Sequence, residues 1–140
     1  MEIILSVRSD YCPKFIHGQK NHEFRTKIPK KGPVDWLLIY EMAPVKALRY
    51  ALKIEETISD HHRVPDDDKD GNHDFHHGIS RYQYAYRISD VYELVHPIPL
   101  AVLKKDYHLT PPRSFAYLDS YPTLKKKLAQ QKWIKQYHYD

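Results

Sequence analysis

Gly18-Gln19-Lys20-Asn21-His22-Glu23-Phe24-Arg25 sets a lysine, a glutamate and an arginine within six residues, directly behind a glycine suited to end a short helix. Charges of mixed sign at the start of a strand are costly to bury and of little use when merely exposed. They gain a purpose if they line a pocket for a polar, anionic ligand. Strand parity sets Glu23 and Arg25 on one face and Lys20 on the other. Lys20 joins them only if it sits in the turn ahead of the strand. There Glu23 would hold Arg25, and a desolvated lysine would be equipped to act as base or nucleophile. The plainer alternative is a surface ion pair, worth little.

Upstream, residues 2–7 form a short apolar run, read as a strand. Ser9 or Asp10 is suited to cap a helix over 11–17, with Pro13 in its first turn and Gly18 as its stop. Downstream, 20–26 reads as strand and Lys27–Pro33 as a basic turn. Val34–Tyr40 is nearly all apolar, as in a central strand. After Ala43-Pro44, alternation from Lys46 to Glu55 puts Leu48, Tyr50, Leu52 and Ile54 on one face. Residues 57–79, rich in Asp, His, Pro and Gly, read as a long acidic loop. Alternation resumes with Tyr82, Tyr84, Tyr86 and Ile88 and continues through Val91–Val95 after a bend at Ser89-Asp90. Prolines 97, 99, 111 and 112 flank a short segment at 100–107. The last element is predicted to be a helix over 122–136, with Leu124, Leu128 and Ile134 on one side. The order β-α-β-β-β-β-α suggests a small, strongly curved sheet or barrel with helices at its ends.

At 140 residues, one domain spanning 1–140 is expected. The net charge of +4 is uneven: residues 60–78 carry −4 and the remainder +8. A basic body suits a nucleic-acid partner as well as it suits an ordinary basic surface. Cys12 is the only cysteine, which excludes an internal disulfide. No run of about 18 apolar residues indicates a membrane span, and the first residues read as strand instead of signal peptide. A cytoplasmic protein with no membrane partner is the expectation.

Other groupings carry less. Arg49, Lys53, Arg81 and Arg87 would form a phosphate-binding stripe if their strands were neighbours, joined by Arg8, Lys27, Lys30 and Lys31. Asp66-x-Asp68-x-Asp70-Gly71 opens like a calcium loop, but its twelfth position is His77 where a bidentate glutamate is needed. The histidines 61, 62, 73, 76 and 77 are read as part of a polar solvated loop, so no metal and no cofactor are expected. Pro111-Pro112 presents Arg113 and Ser114, either toward the Lys20 pocket or as a structural turn. No phosphate-binding or dinucleotide glycine motif and no nucleophile elbow is present.

Ile4-Leu5-Ser6, a short helix and Gly18-x-Lys20-x-x-Glu23-x-Arg25, in that order, resemble the ASCH domain of the PUA-like superfamily. So do Val34–Tyr40 with Ala43–Ala47, Tyr84–Leu94 with Pro97–Leu100, and Pro111–Phe115 with the final helix. The resemblance implies an α+β, PUA-like small β-barrel with a short N-terminal helix and a C-terminal helix, and a charged cleft beside the first helix. It implies an RNA- or nucleotide-binding module in RNA metabolism or regulation, its ligand met by Ser6, Arg8, Lys20, Glu23, Arg25, Lys27, Tyr40, Arg113 and Ser114. Some ASCH-like proteins are amidohydrolases that deacylate a modified cytidine, using a lysine with a threonine and a glutamate. Lys20 matches that lysine, but Glu23 stands where the threonine would be. Others cleave RNA with a lysine and hydroxyl side chains, for which Lys20, Tyr40 and Ser114 are the counterparts. An enzyme of this kind would be a hydrolase with Lys20 and Glu23 as its catalytic pair. A third reading is a protein-interaction domain, which would show a flat apolar patch in place of a charged pocket.

Overall fold

A computed structural model describes residues 1–140. Seven strands form one mixed sheet: β1 (Glu2–Val7), β2 (His22–Arg25), β3 (Trp36–Glu41), β4 (Ala47–Ile58), β5 (Tyr84–Pro99), β6 (Ala116–Tyr117) and β7 (Trp133–His138). The order is β2-β5-β4-β3-β1-β6, with β7 also on β5. β1 and β3 are parallel; the other pairs are antiparallel. One edge of the long β5 runs along β4. Its other edge is shared, first by β2 (His22 opposite Arg87) and then by β7 (His138 opposite Asp90). The sheet curls into a half-barrel accompanied by α1 (Cys12–Ile16), α2 (Asn72–His76), α3 (Leu100–Tyr107) and α4 (Pro122–Gln130), an α+β, PUA-like architecture.

Both faces of the sheet are covered, which explains why β3 is apolar from Trp36 to Tyr40. Ile3, Leu5, Leu37, Ile39, Tyr50, Leu52, Tyr86 and Ile88 form one core with Cys12 and Phe15 of α1. Ile4, Leu38, Tyr40, Leu48, Ala51 and Leu94 form the opposite core with Leu103 of α3 and Leu124 and Leu128 of α4. Bulges move side chains between the two. The register shift between Leu48 and Tyr50 turns Leu48 away from the face that simple alternation gives it. A second shift skips Ser89 opposite Lys53 and Ile54, at the bend read from the sequence.

Three expectations are corrected. The first helix is capped by neither Ser9 nor Asp10: it starts after Tyr11 with no side-chain cap, while the Ser9 hydroxyl donates to Glu41 (2.6 Å) and Asp10 accepts from Arg8 (3.1 Å). The last helix stops at Gln130, because the Trp133 indole N–H caps the Leu128 carbonyl (3.1 Å) and the chain turns back as β7. The 57–79 stretch is structured. It completes β4, forms a 3-10 turn at His61–Arg63 and then α2, and buries Val64 and Phe75 against Phe24, Ile58 and Ala85 in a third core.

Candidate functional site

Gly18 adopts a left-handed conformation (φ 72°) that ends α1 and lets the chain reverse. The Gln19 and Lys20 amides both donate to the Lys14 carbonyl, so Lys20 sits in the turn before β2 begins at His22. Freed from strand parity, its side chain lies beside Glu23. The ammonium is 3.7 Å from a Glu23 carboxylate oxygen and 3.7 Å from one of Asp70. It packs over the rings of Phe24 (4.7 Å) and Tyr11 (5.4 Å). The Lys20 side chain is only 6% exposed and that of Glu23 8%. Arg25 closes the constellation, donating to Glu23 (2.9 Å) and to the Ser6 carbonyl (3.0 Å). Its Nε is buried and has no protein acceptor, and the Lys20 ammonium makes no hydrogen bond within the protein.

These groups line a cleft of about 670 Å³. Ser6, Arg8, Lys20, Glu23, Arg25, Lys27, Arg113 and Ser114 all border it. The Ser6 hydroxyl donates to the Pro112 carbonyl (2.8 Å), which pins the diproline so that Arg113 and Ser114 reach the cleft. Tyr40 does not border it. That ring is buried in the core under α3 and α4, with burial raising its phenol pKa, and the assignment is corrected accordingly.

Sequence reasoning missed one wall. Asp70, Gly71 and Asp74 come from the segment read as a long acidic loop, and Ser80, Arg81 and Tyr82 from just beyond it, where Arg81 and Tyr82 read as strand. That segment is fastened to the first helix: the Asp70 carboxylate pairs with Lys14 (3.1 Å), its amide donates to the Gln19 carbonyl (2.8 Å), and Lys69 reaches the Gly18 carbonyl (2.8 Å). Gly71 (φ 81°) passes so close to the Phe24 ring that a Cβ would clash. Asn72, fully buried, donates to Asn21 and to Asp67 (both 3.0 Å). The His22 ring also meets Asn21 (2.8 Å), and burial, reinforced by the Arg87 charge, holds its pKa down at about 4. The only sequence signal for this wall was complementarity, an acidic segment in a basic chain.

The phosphate stripe does not form. Arg49 is engaged by Glu41 (2.8 Å) and Glu93 (3.1 Å), and Arg87 faces Glu55 (3.3 Å). Arg81 instead stacks over Tyr82 at the cleft rim. Cys12 is buried, and that burial pushes its thiol well above the usual range, the opposite of a reactive cysteine. No helix is long and apolar enough to cross a membrane.

Three solved structures of ASCH from Zymomonas mobilis share this fold. The protein itself is 21% identical, with a TM-score of 0.72, over 94% of this chain and 96% of that one. A serine-to-alanine variant is 20% identical (TM-score 0.72), over 94% and 96%. A tyrosine-to-phenylalanine variant is also 20% identical (TM-score 0.70), over 94% and 99%. No protein-family model and no curated protein matches the sequence. At this identity the likeness establishes the fold: the chain shares the half-barrel of these ASCH structures.

Proposed function

We propose that this ASCH-type half-barrel binds RNA, seating a nucleotide in the cleft with its phosphate or base edge on Lys20 and Arg25. The observation that carries the reading is Lys20 itself. An ammonium so deeply buried, with no hydrogen bond to the protein and two carboxylates 3.7 Å away, is an expensive arrangement for stability alone. Beside it Arg25, whose Nε is buried and unpartnered, borders the same cleft. An anionic or polar ligand would give the Lys20 ammonium the hydrogen bonds it lacks. Glu23 orients Arg25, and Asp70 balances Lys20. The rim supports the reading, since Arg8, Lys27, Arg81 and Arg113 are positive and Tyr11 and Tyr82 offer rings for stacking. The volume lies within the range of small-molecule pockets. A lining this charged does not resemble a flat apolar docking patch.

The test is binding of short single-stranded RNA by wild type and Lys20→Ala over a range of salt. The variant should bind about tenfold more weakly, with a salt slope lower by about 1. Equal affinity with an unchanged slope would sink the proposal.

A second reading, a hydrolase acting on a modified nucleoside or on RNA, is favoured by one observation: Lys20, Glu23 and the Ser114 hydroxyl border the same cleft. In that reading Lys20 would exchange the proton of the attacking group and Glu23 would relay it. Turnover of N4-acetylcytidine and of a mixed RNA pool tests it. Lys20-dependent product in either supports it, and none in both removes it.

A further inference from the structure

Outside the cleft, one group of side chains is arranged as a ligand set. His73 and His77 are one helical turn apart along α2 and its C-terminus, so their imidazoles leave the same side of the segment. Their ring centroids are 4.5 Å apart. Asp66 approaches from the preceding loop with one oxygen on each ring: Oδ1 is 2.7 Å from His73 Nδ1, and Oδ2 is 2.8 Å from His77 Nε2. Donor atoms from all three residues lie within 4.8 Å of one another. Those two hydrogen bonds hold the Asp66 carboxylate below its ordinary pKa.

We propose that Asp66, His73 and His77 bind a divalent transition-metal ion. Two imidazole nitrogens and a carboxylate are the donors that Zn²⁺, Ni²⁺ and Co²⁺ favour, and they do not suit Ca²⁺ or Mg²⁺. With metal–nitrogen bonds near 2.0–2.1 Å and metal–oxygen bonds near 2.0–2.2 Å, small movements of these exposed side chains bring three ligands onto one ion. Solvent supplies the remaining position. Without the ion each inner nitrogen, Nδ1 of His73 and Nε2 of His77, carries the proton it donates to Asp66. On binding, those protons pass to solvent or to the outer nitrogens, and the inner nitrogens of the neutral imidazoles coordinate.

The scaffold is held in place before any ion arrives. His76, between the two ligands, has its Nδ1 against the Val64 carbonyl (2.8 Å), and His61 Nδ1 meets the Phe75 carbonyl (2.8 Å) while its ring stacks on Phe75. Val64 and Phe75 anchor this hydrogen-bonded frame in the third core. The stretch from Asp66 to His77 also contains Asp70, Gly71 and Asp74, which border the cleft. A bound ion would therefore staple one wall of the cleft, at a site separate from the cleft itself.

The test is titration of tag-free protein with Zn²⁺ and, separately, Ni²⁺ against a chromogenic chelator, comparing wild type, His73→Ala/His77→Ala, Asp66→Asn and His62→Ala. Thermal unfolding in chelator checks that each variant folds. The expected result is one equivalent bound by wild type and by His62→Ala, weakened at least tenfold in the other two. The same ion should raise the unfolding temperature of wild type and leave the double variant unmoved. The proposal is overturned if wild type binds no more tightly than the double variant, or if His62→Ala removes the bound equivalent.

Discussion

The Tyr139 hydroxyl lies 2.6 Å from the backbone carbonyl oxygen of Lys20 and 3.1 Å from that of Phe15. It is buried, and burial pushes its pKa up to about 12. The residue that follows β7, on the same edge of β5 as β2, thus holds the turn that carries the buried lysine. Tyr137 leans on Gly18 in the same corner, where a side chain at Gly18 would collide with its ring. The position of Lys20 depends on residues more than a hundred positions away in sequence.

Tyr139→Phe should therefore weaken both stability and binding. The loss leaves two buried carbonyls without that donor, at a cost of about 1–2 kcal/mol in denaturant unfolding. RNA affinity should fall severalfold although Tyr139 does not border the cleft. Unchanged affinity in a destabilised but folded variant would show that the turn holds Lys20 without this hydrogen bond.

Glu41→Ala should be more damaging than Glu93→Ala. Both carboxylates pair with Arg49, but the Glu41 side chain is 4% exposed against 23% for Glu93, and Glu41 also accepts from Ser9. Removing it leaves the guanidinium, whose Nε already lacks a partner, with only the more exposed Glu93. The expected cost is about 3 kcal/mol, against about 1 kcal/mol for Glu93→Ala. Equal costs in urea unfolding would contradict this ranking.

Stability should fall with acid through the window set by His22. Its folded pKa, about 4, lies below the ordinary histidine value of 6.5. Between these values the unfolded chain binds the proton more readily, so stability rises with pH there. The contribution is complete above about 6.5 and is lost as pH falls toward about 4, up to about 3 kcal/mol in all. Asp90 behaves differently. Burial alone would raise its pKa, but hydrogen bonds from His138, Ser89 and Lys135 lower it, so its contribution is lost only at more acidic pH. His22→Gln should flatten the upper window and leave the lower one. Parallel pH profiles for wild type and His22→Gln would refute the assignment.

Most strand positions were legible because local signals carry them: alternation, Pro44, and a glycine at a helix end. The exit of Lys20 from strand parity stays open in the sequence, between a pocket and a surface ion pair. The terminal strand was not. Leu124, Leu128 and Ile134 keep helical spacing, and no glycine or proline stands between Gln130 and Trp133. The actual stop is the Trp133 indole capping a carbonyl, followed by pairing with β5. Tyr40 was misplaced because a strand covered on both faces carries no mark of which face meets the cleft. Asp70 and its wall escaped because their partners, Lys14 and Lys20, lie some fifty residues earlier. Within the 57–79 stretch only Ile58, Val64 and Phe75 belong to the third core, spread among mostly polar residues.

The most direct test of the binding account is an amide chemical-shift titration of the protein with a short single-stranded RNA. The predicted result is saturable perturbation at Ser6–Arg8, Gly18–Lys27, Asp70–Asp74, Ser80–Tyr82 and Arg113–Ser114, absent in Lys20→Ala. Perturbation confined to the exposed lysines of α3 and α4, or unchanged in Lys20→Ala, would contradict it.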